Sequence, residues 1–375
     1  MKVLVTGGGT GGHVNPALAI ANTIREHIPD AEIAFVGTSH GIENVLVPKA
    51  GYPLYHIEVQ GLRRSLSLGN IKTAWLLLTA MRKARQLVRT FQPDLVVGTG
   101  GYVCYPIIRA AALAGVPTAL HESNAVPGVA VKMLEKYVNI VFTNFEETAS
   151  HLKHPEKAVH VGNPMRSEFQ SIDYEEARRK LGISGKYRYF ILSCGGSMGA
   201  ERVNDEALEV MKRYSSQHSD VYHVHATGSL EFQAAHAKFE ELGLNAFDNV
   251  ELLEYIYDMP WKMAAADLVI NRAGAMTISE LALMKKACIL IPSPNVTNNH
   301  QYKNAHALEK AGAAVLLQEK DLNEGKLAAE VENLLQNRSL RRQMSESIAA
   351  FAVPDANEQI FRRLMQLVHS ESKKS

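Results

Sequence analysis

The stretch Met1–Ile20, MKVLVTGGGTGGHVNPALAI, decides the reading of this chain. Lys2 to Thr6 is a short β-branched run suited to a buried strand, and Ala17 to Thr23 has the composition of a helix. Between them Gly7, Gly8, Gly9, Gly11 and Gly12 form a turn without side chains, so a ligand can approach the main chain closely. A helix starting just after such a turn aims backbone N–H groups and its positive dipole end at that ligand, which favours phosphate or another anion. The unit recurs. Leu95 to Val97 leads into Gly98, Gly100 and Gly101 before the apolar Ile107 to Leu113, and Tyr189 to Ser193 leads into Gly195, Gly196, Ser197 and Gly199 before a helical pattern from Val203 to Met211. Three such turns predict an α/β protein whose ligand lies across the carboxyl ends of parallel strands.

The chain around them has 375 residues, too many for one ordinary core, so two domains are expected. With 46% apolar and 21% charged residues it has the composition of an ordinary globular protein, and a formal charge of +1 gives no reason to expect nucleic acid as a partner. Cys104, Cys194 and Cys288 are far apart and form no metal-ligand pattern, so buried free thiols in a reducing compartment are expected. The opening runs straight into a strand without a leader pattern, and no apolar run approaches the ~18 residues of a spanning helix. A cytoplasmic protein is the expectation.

Strand-like runs in the first half fall at Lys2 to Thr6, Glu32 to Gly37, Tyr55 to Val59, Asp94 to Gly98, Pro117 to His121, Ile140 to Thr143 and Ala158 to Gly162. Helical patterns separate most of them, which implies a parallel sheet covered on both faces. The polar run Ser171 to Lys186, after Asn163-Pro164-Met165-Arg166, reads as the linker. A second series follows near Arg188 to Cys194, Val221 to Ala226, Asn249 to Leu253, Asp267 to Asn271, Ala287 to Ile291 and Ala313 to Leu317. From Glu330 onward the chain looks helical, broken at Val353-Pro354. The expected architecture is two doubly wound Rossmann-like domains, 1–163 and 164–353, facing across a cleft, with a last helix 354–375 packed back on the first domain.

Gly7, Gly9 and Gly12 also satisfy G-x-G-x-x-G, the dinucleotide fingerprint, which needs an acidic residue at the end of the second strand. That strand ends Phe35-Val36-Gly37-Thr38 and the nearest later acid is Glu43, so the nicotinamide reading lacks its second requirement. From Val59 to Pro93 there is no acidic residue, yet Arg63, Arg64, Lys72, Arg82, Lys83, Arg85 and Arg89 alternate with Leu62, Leu66, Leu68, Ile71, Trp75, Leu76, Leu77, Leu78 and Met81. Two readings stay open: a segment resting on an anionic membrane surface, or a core helix with a solvated basic face.

His13 follows the first glycine turn, where an imidazole can accept a proton from an attacking hydroxyl near neutral pH. His121-Glu122-Ser123-Asn124 ends another strand, where polar residues tend to face the ligand. In the second half, Arg272-Ala273-Gly274-Ala275-Met276-Thr277-Ile278-Ser279-Glu280 places small residues at a helix start suited to a diphosphate. Glu280 reads either as acceptor for a ribose diol or as a solvated helix residue. The loop Pro292 to Gln301 is rich in amides and hydroxyls, which read sugar hydroxyls as both donors and acceptors.

Taken together, Gly8-Gly9-Thr10-Gly11-Gly12-His13, Gly98-Thr99-Gly100-Gly101-Tyr102, His121-Glu122-Ser123-Asn124, Asn163-Pro164-Met165-Arg166, Gly195-Gly196-Ser197-Met198-Gly199-Ala200, the Arg272 to Glu280 run and Asn299-His300-Gln301 resemble the MurG family. The motifs stand in the family's order over almost the whole chain. The resemblance implies a GT-B fold and an inverting glycosyltransferase without a required metal or other cofactor, peripheral on the cytoplasmic face of the cell membrane. It implies transfer of N-acetylglucosamine from UDP-N-acetylglucosamine to undecaprenyl-linked N-acetylmuramoyl-pentapeptide, lipid I to lipid II, in peptidoglycan synthesis, with cell-wall synthesis proteins as candidate partners.

Carried over by position, the backbone of Ile256 meets uracil, Glu280 the ribose, and Ser197 with Ala275, Met276 and Thr277 the diphosphate, in a donor site that also includes Ile278 and Ser279. Arg166 helps hold the nucleotide, and Gln301 with His300 the sugar hydroxyls. Thr10, Gly11, Gly12 and Asn124 reach the donor from the first domain. His13, Gly100, Gly101 and Tyr102 face the acceptor diphosphate and the attacking hydroxyl, His13 as base or as diphosphate ligand. The resemblance also moves the basic, apolar segment toward the membrane reading. Met198 stands where the family usually has Gln or Arg, and Ser123 where Gln is usual. Competing readings are a UDP-N-acetylglucosamine 2-epimerase, which needs no lipid acceptor, and a non-catalytic nucleotide-sugar-binding subunit.

Overall fold

The computed structural model describes residues 1–59, 69–196, 198–296, 299–323 and 325–372, with the side chains of 69–74 and 371–372 outside that description. The chain divides into two compact units, Met1–Arg166 with Val353–Ser375, and Ser167–Ala352. Among the described residues the first unit carries a seven-stranded sheet: β1 (Lys2–Thr6), β2 (Glu32–Gly37), β3 (Leu54–His56), β4 (Leu95–Gly98), β5 (Thr118–Glu122), β6 (Ile140–Thr143) and β7 (Ala158–His160). The second carries six strands: β8 (Tyr189–Cys194), β9 (Val221–Ala226), β10 (Val250–Leu253), β11 (Leu268–Asn271), β12 (Cys288–Leu290) and β13 (Val315–Leu316). Every pairing is parallel.

Continuous apolar runs, rather than alternation, follow from burial of both sheet faces. In the first unit Leu4, Val36, Val96 and Leu120 enter one cluster while their neighbours Val3, Val5, Phe35, Val97 and Ala119 enter the other, which is the two-residue side-chain period of a strand. In the second unit Ile191, Leu268, Ile270 and Ile289 join the helical Val203, Val331 and Leu334 in one cluster.

The order of the first sheet is β3-β2-β1-β4-β5-β6-β7 and that of the second is β10-β9-β8-β11-β12-β13. Chain direction across the sheet therefore reverses between β1 and β4 in the first unit and between β8 and β11 in the second. Ligands bind outside the carboxyl ends of strands at such reversals. The three glycine turns follow β1, β4 and β8, and the Arg272 to Glu280 run follows β11, so each reversal is flanked by two of the motifs found in the sequence.

Residues 164–166, expected on the second side of the division, go with the first unit. The Asn357 amide holds them there: its Oδ1 accepts from Met165 N at 2.8 Å and its Nδ2 donates to Met165 O at 2.7 Å. Asn357 begins the last helix, Ala356–Ser372, whose Ile360 and Leu364 lie in the same cluster as Val14, Ala17 and Ile20 of the helix Gly11–His27.

The polar run Ser171 to Lys186 is not a linker but part of the second unit. Asp173 caps the helix Tyr174–Lys180 by accepting from the N–H groups of Glu175 and Glu176, a contact worth about 1 kcal/mol. Arg178 on that helix is buried, pairs with Asp267 at 3.3 Å and donates to the Tyr187 carbonyl. A charged run thus serves as packing surface because its central cation has two partners.

Candidate functional site

In the first unit the turn after β1 leads into the helix Gly11–His27, whose first turn holds no acidic residue and no side-chain cap. Its positive end is therefore not neutralised from within that turn. His13 is half-buried, with Nδ1 3.0 Å from the Gly8 carbonyl oxygen and 3.4 Å from Thr10 Oγ1. A carbonyl only accepts, so Nδ1 carries the proton and the neutral ring keeps its lone pair on Nε2. Thr99 Oγ1 donates to the His13 carbonyl at 2.7 Å, tying the helix start to the turn after β4. There Gly101, at φ +85°, leaves room for the Gly8 carbonyl, from which an added Cβ would stand only 2.6 Å.

Thr10 and Gly12 are exposed, Gly11 is half-buried, and Tyr102 is 58% exposed beside Gly100 and Gly101. The turns after β1 and β4 therefore form one platform carrying His13. The Cys104 thiol lies under it, donating to Thr6 O at 3.1 Å or Gly100 O at 2.9 Å, and burial pushes it up to about 11. After β5, Glu122 Oε1 accepts from Asn124 N at 2.9 Å and from Asn124 Nδ2 at 3.0 Å, which fixes the side chain of Asn124. His121 is buried, bonded through Nε2 to Gly162 O at 3.0 Å, and its value is pushed down to about 4 by desolvation. Arg166, half-buried, ends this unit.

The second unit has a cavity of about 360 Å³ lined by Gly195, Gly199, Ala200, Glu201, Arg202, Arg272, Ser293, Asn295, Gln301 and Glu319. Gln301 Oε1 accepts from Ser293 N at 2.9 Å, which orients its amide. Arg272 pairs with Glu319 and donates to Ile291 O at 3.1 Å. The helix Ala275–Leu283 starts at Gly274 with no side-chain cap and no acidic residue in its first turn. Ala275, Met276 and Ile278 turn their side chains inward, so a ligand at this helix start meets main chain, while Thr277, Ser279 and Glu280 are half-buried. The Ile256 side chain is also buried. Ser197 lies outside the described residues, as do Thr297 and Asn298 of the amide-rich loop.

Residues 3–143 match the glycosyltransferase family 28 N-terminal domain and residues 190–360 the family's C-terminal domain. A protein of Acetivibrio thermocellus named UDP-N-acetylglucosamine--N-acetylmuramyl-(pentapeptide) pyrophosphoryl-undecaprenol N-acetylglucosamine transferase is 41% identical over 99% of this chain and 100% of its own length. One of the same name from Bacillus cytotoxicus is 39% identical over 98% and 100%. The crystal structure of Acinetobacter baumannii MurG is 28% identical, covers 97% of this chain and 99% of its own, and superposes with a TM-score of 0.69. The chain belongs to the MurG family of glycosyltransferases.

Its fold is GT-B. A putative UDP-N-acetylglucosamine 2-epimerase from Listeria monocytogenes shares that fold, with a TM-score of 0.70, 96% of this chain covered and 94% of its own, but at 16% identity the likeness extends to fold alone. Of the two departures from the MurG pattern, Met198 is 53% exposed and Ser123 is buried, its carbonyl accepting from Asn144 Nδ2 at 3.1 Å.

Two groups that sequence reasoning missed support the MurG motifs from beneath. One is Glu43, a fully buried carboxylate that accepts from Gly9 N. The other is a buried polar chain under the β8 turn. Asn204 Nδ2 donates to Thr227 O at 3.1 Å, so its Oδ1 receives His225 Nε2–H at 3.0 Å. His225 Nδ1 then accepts from Ser193 Oγ at 2.8 Å, which in turn accepts from His223 Nε2 at 2.8 Å, and Ser215 Oγ closes the chain on His223 Nδ1 at 3.0 Å. This direction satisfies every member with both rings neutral. Burial pushes His225 down to about 4 and His223 well below its ordinary value. Thr227 O lies 2.4 Å from where a Gly199 Cβ would stand, so the chain ends against the wall of the cavity. No local pattern marks either group, because the contacts that tie them to the β1 and β8 turns span 21 to 34 residues.

Proposed function

We propose that this chain transfers N-acetylglucosamine from UDP-N-acetylglucosamine to the 4-hydroxyl of an undecaprenyl-linked N-acetylmuramoyl-pentapeptide, with inversion to a β-linkage. The observation that carries the reading is full-length identity of about 40% to relatives of that name. The 4-hydroxyl attacks the anomeric carbon opposite the departing UDP and His13 Nε2 takes its proton, the Nδ1–H tautomer leaving that lone pair available. Charge developing on the diphosphate is met by the helix start at Ala275 to Thr277, the Ser197 turn and the Arg166 cation. Glu280 holds the ribose with Ile278 and Ser279 nearby, the backbone of Ile256 meets the base, and Gln301 with His300 reads the sugar. Thr10, Gly11, Gly12 and Asn124 keep the donor role, and Gly100, Gly101 and Tyr102 the acceptor role, that family membership suggests. The first unit is thus the acceptor half and the second the donor half.

We further propose that the first unit rests on the cytoplasmic membrane surface. In the helix Gly69–Phe91, Ala80, Ala84, Val88 and Phe91 are buried, whereas Trp75 is 64% and Leu78 66% exposed. Arg82 and Arg85 continue their stripe at helical spacing, and Lys83 and Arg89 are exposed as well. Large apolar groups set in a cationic surface suit an anionic lipid headgroup layer. Leu62, Arg63, Arg64, Leu66 and Leu68 lie outside the described residues, as do the side chains of Ile71 and Lys72. Among the described residues no helix is long and apolar enough to cross a membrane.

Release of UDP by the purified protein tests the reaction. Release that depends on a short-chain lipid-linked acceptor and survives EDTA supports it. Formation of free N-acetylmannosamine without acceptor would move the assignment to an epimerase.

A further inference from the structure

One amide group stands between two side chains of the first unit. The Gly8 carbonyl of the Gly8–Gly9 peptide faces His13 Nδ1 at 3.0 Å, and the Gly9 N–H of the same peptide donates to Glu43 Oε2 at 2.9 Å. We propose that Glu43 acts on His13 through this peptide, as a positioning residue that holds the imidazole with its proton on Nδ1 and its lone pair on Nε2. This rests on the reading of His13 as the base.

Glu43 is fully buried, a placement that is costly for a carboxylate unless its oxygens are satisfied. Oε1 accepts from Thr38 N at 2.9 Å and Thr38 Oγ1 at 2.8 Å, while Oε2 accepts from Gly9 N. Every partner is a donor, which suits an acceptor-only group. Glycines make its socket: an added Cβ would stand 2.6 Å from Oε1 at Gly8, 2.6 Å from Cγ at Gly37 and 1.9 Å from Oε2 at Gly41. The chain leaves out side chains on three sides of one carboxylate and aims one of its oxygens at the His13 loop.

Hydrogen bonds to the two ends of an amide polarise each other, so a carboxylate on the N–H makes the carbonyl a stronger acceptor. The Gly8 oxygen then favours the Nδ1–H tautomer over its alternative. A carboxylate bonded directly to an imidazole does the same in hydrolase triads. Here a peptide is inserted between them. Nε2 stays on the side of Gly100, where an added Cβ would stand 2.8 Å from it.

The test reads His13 itself. In protein labelled with 15N on histidine, the His13 nitrogens are assigned by their loss in His13→Gln and recorded at alkaline pH, where imidazoles are neutral. Wild type is expected to show Nδ1 protonated and Nε2 bare. Glu43→Gln keeps the shape but removes the charge, so the Gly9 N–H loses its carboxylate partner. It is expected to mix the tautomers and to lower kcat by about 10- to 100-fold, with KM for UDP-N-acetylglucosamine changed less than about twofold. A wild-type proton on Nε2, or a folded Glu43→Gln with the wild-type tautomer, overturns the proposal; the first of these needs no variant of Glu43. A shifted tautomer with unchanged kcat upholds the link and overturns the assignment of His13 as base.

Discussion

His13 Nδ1 and the Gly8 carbonyl oxygen are 3.0 Å apart, within the turn that joins β1 to its helix. That contact commits one ring nitrogen to the backbone and leaves the other for chemistry. If Nε2 is the base, His13→Ala lowers turnover by about 100-fold or more while UDP binding, measured by calorimetry, is retained. Turnover within about tenfold of wild type would assign His13 to acceptor binding instead.

Asn204 joins His225 to the Thr227 carbonyl, on which Gly199 lies. Truncation in Asn204→Ala leaves a buried acceptor and a buried ring N–H unpaired, at about 1–3 kcal/mol each. The expected result is a lower melting temperature together with a KM for UDP-N-acetylglucosamine raised about tenfold, since the loosened strand end carries the cavity wall. Unchanged donor KM in a destabilised protein would make the polar chain a stability element alone.

Three buried histidines set an acid limit. His121 and His225 are held down to about 4, and His223 lies well below its ordinary value, in each case mainly by desolvation. A base whose value is depressed by folding binds more protons when unfolded, so stability is intact above the ordinary value of about 6.5 and is lost as pH falls toward 4. His225 alone accounts for roughly 3 kcal/mol over that window. Denaturant midpoints measured from pH 7.5 to 4.5 should fall steadily below pH 6.5, and His225→Gln should flatten the slope. A midpoint constant to pH 4.5 would contradict the neutral, desolvated state of these rings.

Trp75 and Leu78 are exposed on a helix whose other face is packed. Replacing both with Ser should reduce co-sedimentation with phosphatidylglycerol vesicles by about tenfold or more, and leave activity toward a soluble acceptor analogue near wild type. Equal sedimentation of the variant would return this surface to the status of an ordinary solvated helix.

Much of this was legible in the sequence because it is local. Glycine turns after strands, small residues at helix starts and β-branched runs need only neighbours a few positions away, and the thirteen strands among the described residues all lie at or beside the expected runs. What was missed depends on distant partners. Ser171 to Lys186 read as a linker because nothing nearby shows that Arg178 meets Asp267, 89 residues on. Glu43 stands too late in the sequence for a ribose ligand, and its partner Gly9 lies 34 residues earlier. His223 and His225 look like any alternating strand residues until Ser193 and Asn204 are folded onto them. The residues that the sequence marks as ligand-facing stand on local turns, and what holds those turns in place comes from distant parts of the fold.

The most direct measurement is the anomeric configuration of the disaccharide formed from UDP-N-acetylglucosamine and a short-chain lipid-linked muramoyl-pentapeptide in the presence of EDTA, read from the proton coupling at the new glycosidic carbon. Single displacement at this site predicts a β-1,4 linkage formed at the same rate as UDP. An α-linkage, or UDP released without disaccharide, would contradict it.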